Sequence, residues 1–128
     1  MIRFIEIISI TGVFFICCFL SPPTNGSEKP EKYYQESWCA KHKGHSEYRL
    51  LDNARVDCLT DEYAVEFDFA GKWAEALGQS MHYSRMTGRK GAVVLICGSK
   101  NDNKKAKKLD RLINYYRLPI NLFIMKKE

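Results

Sequence analysis

Asp57, Glu66 and Asp68 are the side chains of this sequence most suited to chemistry, and all three fall within residues 55–83, RVDCLTDEYAVEFDFAGKWAEALGQSMHY. If Asp61 and Glu62 form a two-residue hairpin turn, Thr60 faces Tyr63, Leu59 faces Ala64, and Asp57 falls opposite Glu66. Asp68 then lies two residues further along the same face. Like charges opposed in a sheet repel, so acids placed this way point to a cation between them. Magnesium and manganese prefer oxygen ligands, usually one or two carboxylates completed by water and phosphate. An ion held so supplies a nucleophile at neutral pH and stabilises charge developing on phosphate oxygens, the two needs of phosphodiester hydrolysis. An ordinary alternative stands beside this reading: Asp57 and Glu66 in ion pairs with Arg55 or Arg49, and Asp68 in a cross-strand bridge to Arg55, which the same register places opposite it.

The elements that must position these acids follow from the pattern. Residues 55–60 and 63–69 read as paired strands, the second with Val65, Phe67 and Phe69 on one side and Ala64, Glu66 and Asp68 on the other. Residues 47–51 form an earlier strand and Asp52 with Asn53 a turn, which makes a three-stranded meander. Before it, residues 33–43 read as a short helix with Tyr34, Trp38 and Cys39 inward, ended by Gly44. Residues 70–86 are predicted helical. Small residues there allow close approach to the sheet, Trp73, Leu77 and Met81 add bulk, and Lys72 and Gln79 share one side. Residues 87–91 are a turn. The apolar run 92–97 is a strand buried on both faces, parallel to an earlier strand through a right-handed crossover. Asp102 caps a helix reaching Tyr116, with Leu109, Leu112, Ile113 and Tyr116 at helical spacing, and residues 119–125 are a last strand. The expected fold is α/β, a mixed sheet flanked by helices.

This order, together with the residues it carries, resembles the PD-(D/E)XK nuclease superfamily and its restriction-endonuclease-like αβββαβ core. Asp57 matches the motif Asp and Glu66 the motif Glu, while the run from Gln79 to Tyr83 fits the Gln-x-x-x-Tyr signature of the RecB-like branch. Glu47 stands for the acidic residue that some members add upstream. More narrowly, VEFDFAGKWAEALGQSMHY is similar to a group of small bacterial proteins of this fold. The resemblance implies a Mg2+- or Mn2+-dependent nuclease, with Asp57, Glu66 and Asp68 as metal ligands and Lys72 and Gln79 as further catalytic residues. One departure matters: Asp68 occupies the position of the superfamily lysine, so the motif reads Glu-Phe-Asp. Either Lys72 swings back into that space, or Asp68 becomes a third ligand, or the domain binds without cutting. Tyr83 reads as core rather than site, Lys72 as a solvated helix residue as well as a catalytic one, and Gln79 as orienting substrate or bonding a strand end.

The 128 residues suffice for one domain. Residues 1–26 resemble a secretory signal peptide: Arg3, an apolar run of about 14 residues, short for a membrane span, and then SPPTNGS. Glu6 is atypical of such a leader, and the alternative is an N-terminal anchor formed by residues 7–20. Residues 27–32 read as a linker and residues 33–128 as the nuclease-like domain. The net charge of +5 is unchanged by removing Arg3 and Glu6, and it suggests an anionic partner as well as mere solubility. Of Cys39, Cys58 and Cys97, the first two are the expected disulfide of an exported chain, because Cys97 lies in an apolar run where a buried free thiol is ordinary. His42 and His45 near Cys39 make a loose cluster, read as surface residues.

Lys104, Lys105, Lys107, Lys108 and Arg111 could hold nucleic-acid phosphates, or be the polar face of a helix. Tyr33, Tyr34 and Trp38 could stack bases, or pack. The expected function is a metal-dependent phosphodiesterase or nuclease acting on DNA or RNA outside the cytoplasm, periplasmic or secreted. The alternatives are a catalytically inactive binding protein on the nuclease fold and a cell-envelope interaction protein.

Overall fold

Residues 64–68 and 91–97 are buried without a break, which in a strand means cover on both faces. The computed structural model describes residues 28–128, and the predicted leader over residues 1–26 lies outside them. Helix α1 (Glu31–Lys41) precedes strands β1 (His45–Arg49), β2 (Arg55–Leu59) and β3 (Tyr63–Phe69). A 3-10 turn (Ala70–Lys72) leads into α2 (Trp73–Thr87), followed by β4 (Lys90–Cys97), α3 (Lys100–Tyr115) and β5 (Ile120–Lys126). The five strands make one sheet in the order β1-β2-β3-β4-β5. The meander β1 to β3 is antiparallel, and β4 and β5 continue parallel to β3. The fold is therefore α/β with a mixed sheet, as its alternating pattern predicts.

Helices cover the sheet on opposite faces. Under α1, Cys39 and Trp38 pack on Cys58, Val65, Phe67, Ala92 and Val94. On the other face Ala76 and Leu77 of α2 and Ala106, Leu109 and Ile113 of α3 pack on Val93 and Leu95. Alternate residues of β4 thus serve the two layers, as a pleated strand requires. The Cys39–Cys58 disulfide joins α1 to β2, and Cys97 is free and buried. Both observations agree with the expected cysteine pairing and with an oxidising environment. Among the described residues no helix is long and apolar enough to cross a membrane.

Several boundaries differ from expectation for local reasons. Helix α1 starts with Glu31 and Lys32, which the pattern placed in a linker, because Pro30 at φ −67° already has a backbone suited to a helix entry. The first strand is His45–Arg49 rather than 47–51. Leu50 turns away instead, its N–H donating to the Ala54 carbonyl and its own carbonyl accepting from Asn53 N–H, so Leu51 is fully exposed. Ser99, not Asp102, caps α3: Ser99 Oγ accepts from Asp102 N–H at 3.1 Å, and Asp102 Oδ2 accepts from Ser99 N–H at 3.0 Å, a reciprocal capping box. Tyr116 is exposed at the end of that helix. Helix α2 closes on Gly88 at φ +68°, where only glycine is free of strain.

Candidate functional site

The β2–β3 hairpin has the register expected from its turn, with Leu59 against Ala64 and Cys58 against Val65. Thr60 reinforces the turn by accepting from the N–H groups of Glu62 and Tyr63. Pairing stops at Cys58. One residue beyond, Asp57 Oδ2 accepts the Phe67 N–H at 2.8 Å, so a side chain replaces the ladder. On the other side of β2 the β1 register also skips this level: Ser46 pairs with Cys58 and Tyr48 with Val56, while Glu47 between them has φ +56°. A left-handed non-glycine residue costs about 1–2 kcal/mol and persists only where its surroundings hold it. The break reverses the side-chain alternation of β2. Val56 packs with Ala64 and Tyr83 on the α2 face, whereas Cys58, two residues on, packs under α1.

The acids gather at this interruption. Glu66 and Asp68 are 6% and 4% exposed, and Glu66 Oε2 and Asp68 Oδ1 hydrogen-bond to no described residue. Buried carboxylate oxygens without partners are costly, so the group needs protons or a cation. Burial, then the charge of Asp57, pushes the Glu66 carboxyl up to about 10, and it donates a hydrogen bond to Asp57. Burial lifts Asp57 to about 6 against the opposing Phe67 N–H bond. Burial, then Glu31, lifts Asp68 to about 7 while Lys72 pulls it down. The Glu31 carboxyl is also raised, by burial and then Asp57, and it accepts a hydrogen bond from Asp68. Tyr83 is buried on α2, and burial, then the charge of Glu66, raises its phenol. The acids therefore associate two and two, Glu66 with Asp57 and Asp68 with Glu31.

Lys72 comes to the cluster as expected, its Nζ 3.9 Å from Asp68 Oδ1, although its side chain is mostly exposed. Asp68 does not bridge to Arg55; the ladder has ended before that level, and Arg55 instead pairs with Glu47 at 3.4 Å. Among the described residues neither Asp57 nor Glu66 takes an arginine partner. Gln79 is half-buried on α2 and forms no side-chain hydrogen bond with a described residue. Glu47 reaches the site from β1 through Gln35 of α1, whose Nε2 donates to Glu47 Oε1 at 2.9 Å and to the Asp57 carbonyl at 2.7 Å. Sequence patterning missed Glu31 and Gln35. Their spacing of four residues from each other and from Cys39 was the available signal, since the disulfide fixes which face of α1 is inward.

The other candidates disperse. Cys39 is consumed by the disulfide, so it makes no cluster with His42 and His45. Tyr34 is core, Tyr33 bonds Lys29 and Glu128, and Trp38 is half-buried and stacked on His42 at 3.6 Å. The basic residues of α3 are largely solvated, with Lys108 Nζ 5.0 Å over the Trp73 ring. Open cavities lie elsewhere, one of about 420 Å3 between Tyr48, Leu50, Leu59, Met86 and Arg89, another of about 540 Å3 along Lys108, Leu112 and Tyr115.

Among the described residues no three His, Cys, Asp or Glu side chains converge as a preformed metal cage. The donor set nevertheless suits a hard cation: hydrogen-bonded carboxyl pairs with unpartnered oxygens match the one or two carboxylates that Mg2+ commonly takes. Fold and site together define an α/β protein whose mixed sheet carries a buried carboxylate cluster where its antiparallel ladder breaks off. No family model, no curated protein and no solved structure matches the chain.

Proposed function

We propose that the protein is a metal-dependent phosphodiesterase, a nuclease acting on DNA or RNA outside the cytoplasm. The observation that carries this reading is the pair of buried, unpartnered carboxylate oxygens of Glu66 and Asp68 beside Asp57, with Lys72 at the rim. The element order helix, three antiparallel strands, helix, parallel strand supports the finer reading as a restriction-endonuclease-like core. Mg2+ or Mn2+ fits Asp57 and Glu66, with Asp68 as a further oxygen donor, and would supply phosphate polarisation and a nucleophilic water when bound. The chain's own residues do the rest. Tyr83 lies beside Glu66, Lys72 offers positive charge to a phosphate in the space where the superfamily lysine would reach, and Gln79 lies two turns further on, in α2, for contact with substrate. The Cys39–Cys58 disulfide supports export.

The decisive assay incubates purified protein with single- and double-stranded DNA and RNA, with and without Mg2+ or Mn2+. Cleavage should disappear in EDTA and in Asp57→Ala and Glu66→Ala. Cleavage that survives both chelation and these substitutions would remove the mechanism. The second reading, a nuclease-fold protein that binds without cutting, is favoured by Asp68 standing at the lysine position and by the proton that burial keeps on Glu66; it predicts nucleic-acid affinity with no product under any of these conditions.

A further inference from the structure

Glu31, Gln35 and Cys39 stand at intervals of four on one face of α1. Each grips a different part of the acid cluster or its frame. Glu31 meets Asp68, Gln35 holds Glu47 and the Asp57 carbonyl, and Cys39 is covalently bound to Cys58, the residue after Asp57. Gln35 is only 3% exposed, an unusual place for an amide. Both hydrogen bonds from its Nε2 are spent at the break in β2, where Glu47 is left-handed and Asp57 leaves the ladder.

Besides these grips, α1 is held by the packing of Tyr34 and Trp38 on the core and by the Tyr34 hydroxyl at the Glu128 backbone. Its buried residues are Tyr34, Gln35 and Cys39, and a helix of 11 residues does not persist alone in water. We propose that Gln35 is the positioning residue of the carboxylate site and that the Cys39–Cys58 bond fixes it there, so that the site assembles only in the oxidised chain. The proposal rests on the cation-binding reading of that site for its metal arm alone. In the reduced chain both thiols are free, α1 loses its covalent tie to β2, and water reaches Asp57 and Glu66. Closure forms one S–S bond and passes two electrons and two protons to a disulfide donor, which leaves as a dithiol. Both sulfurs are fully buried, so a reducing thiolate reaches them only after α1 lifts, and the bond once made is durable. A chain made in a reducing compartment is thereby inactive until it enters an oxidising one.

The test compares the oxidised protein, the protein reduced with dithiothreitol under denaturant and refolded, Cys39→Ser/Cys58→Ser, and Gln35→Ala. Amide hydrogen exchange follows the Phe67 N–H that Asp57 holds, and calorimetry measures Mn2+ affinity. The oxidised protein should protect that amide. In the other three forms its protection should fall and Mn2+ affinity should fall roughly 10–100-fold, the usual effect of losing an outer-shell partner. Gln35→Ala keeps the disulfide, so circular dichroism showing it folded separates lost positioning from lost structure. Oxidised-like protection of the Phe67 amide and oxidised-like affinity in folded Gln35→Ala, or in the refolded reduced chain, overturn the proposal. If oxidation and Gln35 control that protection while no form binds Mn2+, the positioning stands and the cation reading falls.

Discussion

Glu66→Gln should stabilise the metal-free protein, and by an amount that grows with pH. In the fold Glu66 keeps its proton to about pH 10, whereas an ordinary glutamate releases it near 4.5. The folded carboxyl value is raised, so this group's contribution is at its best below about pH 4.5 and drains away as pH rises toward 10. Within that window the unfolded chain binds fewer protons than the folded one, and stability falls by about 1.4 kcal/mol per pH unit. At pH 7 the loss reaches about 3 kcal/mol, and this figure requires only that the folded carboxyl still be protonated there. Proton sharing with Asp57 makes it an upper value. Glutamine keeps the shape, stays neutral and can donate to Asp57 as the protonated acid does. Urea unfolding in EDTA should therefore show a gain under about 1 kcal/mol at pH 5 and up to about 3 kcal/mol at pH 7. Mn2+ should stabilise the natural chain and leave Glu66→Gln nearly unchanged. No gain at pH 7, or a gain equal at both pH values, would refute the placement of Glu66 as a buried, proton-holding acid.

Two further outcomes follow from neighbouring contacts. Lys72→Ala removes a long, largely exposed ion pair, so urea unfolding should change by no more than about 0.5 kcal/mol; carboxyl NMR should nevertheless find Asp68 titrating above its present value of about 7, and an unmoved Asp68 would separate Lys72 from the site. Gly44→Ala would set a Cβ within 2.8 Å of Cys39 Sγ and against Cys58 Sγ as well. With both sulfurs held by their bond, the substitution should cost about 1–3 kcal/mol in denaturant unfolding, and a neutral result would mean that the turn after α1 relaxes freely.

The hairpin was legible because its determinants are local. A polar pair, Asp61 and Glu62, between alternating strands sets the register, and the apolar run of β4 announces a doubly covered strand. The disulfide followed from the unsuitability of Cys97. Arg55 was misplaced by the same logic, since a uniform register carries it to Asp68, and nothing in residue types tells that the ladder ends at Cys58. The end is imposed from a distance by Asp57 capturing a backbone N–H and by Gln35 reaching across from α1. Gln35 looks like an ordinary solvated position of a polar helix, and Glu31 like part of a linker. Only the three-dimensional meeting of α1 with β1 and β2 turns one into a buried amide and the other into a member of the acid cluster. Glu47 is similar: its left-handed backbone is uncommon for its residue type and has no sequence signature.

That left-handed Glu47 also has a consequence on the outer side of the sheet. Strand β1 is an edge, exposed along its whole length, and an even edge invites a foreign strand to dock. A kink in the middle of a five-residue strand breaks the run of outward amides and carbonyls into pieces too short to template another chain. The same distortion that turns the Glu47 carboxylate to Gln35 of α1 therefore protects this margin against strand addition.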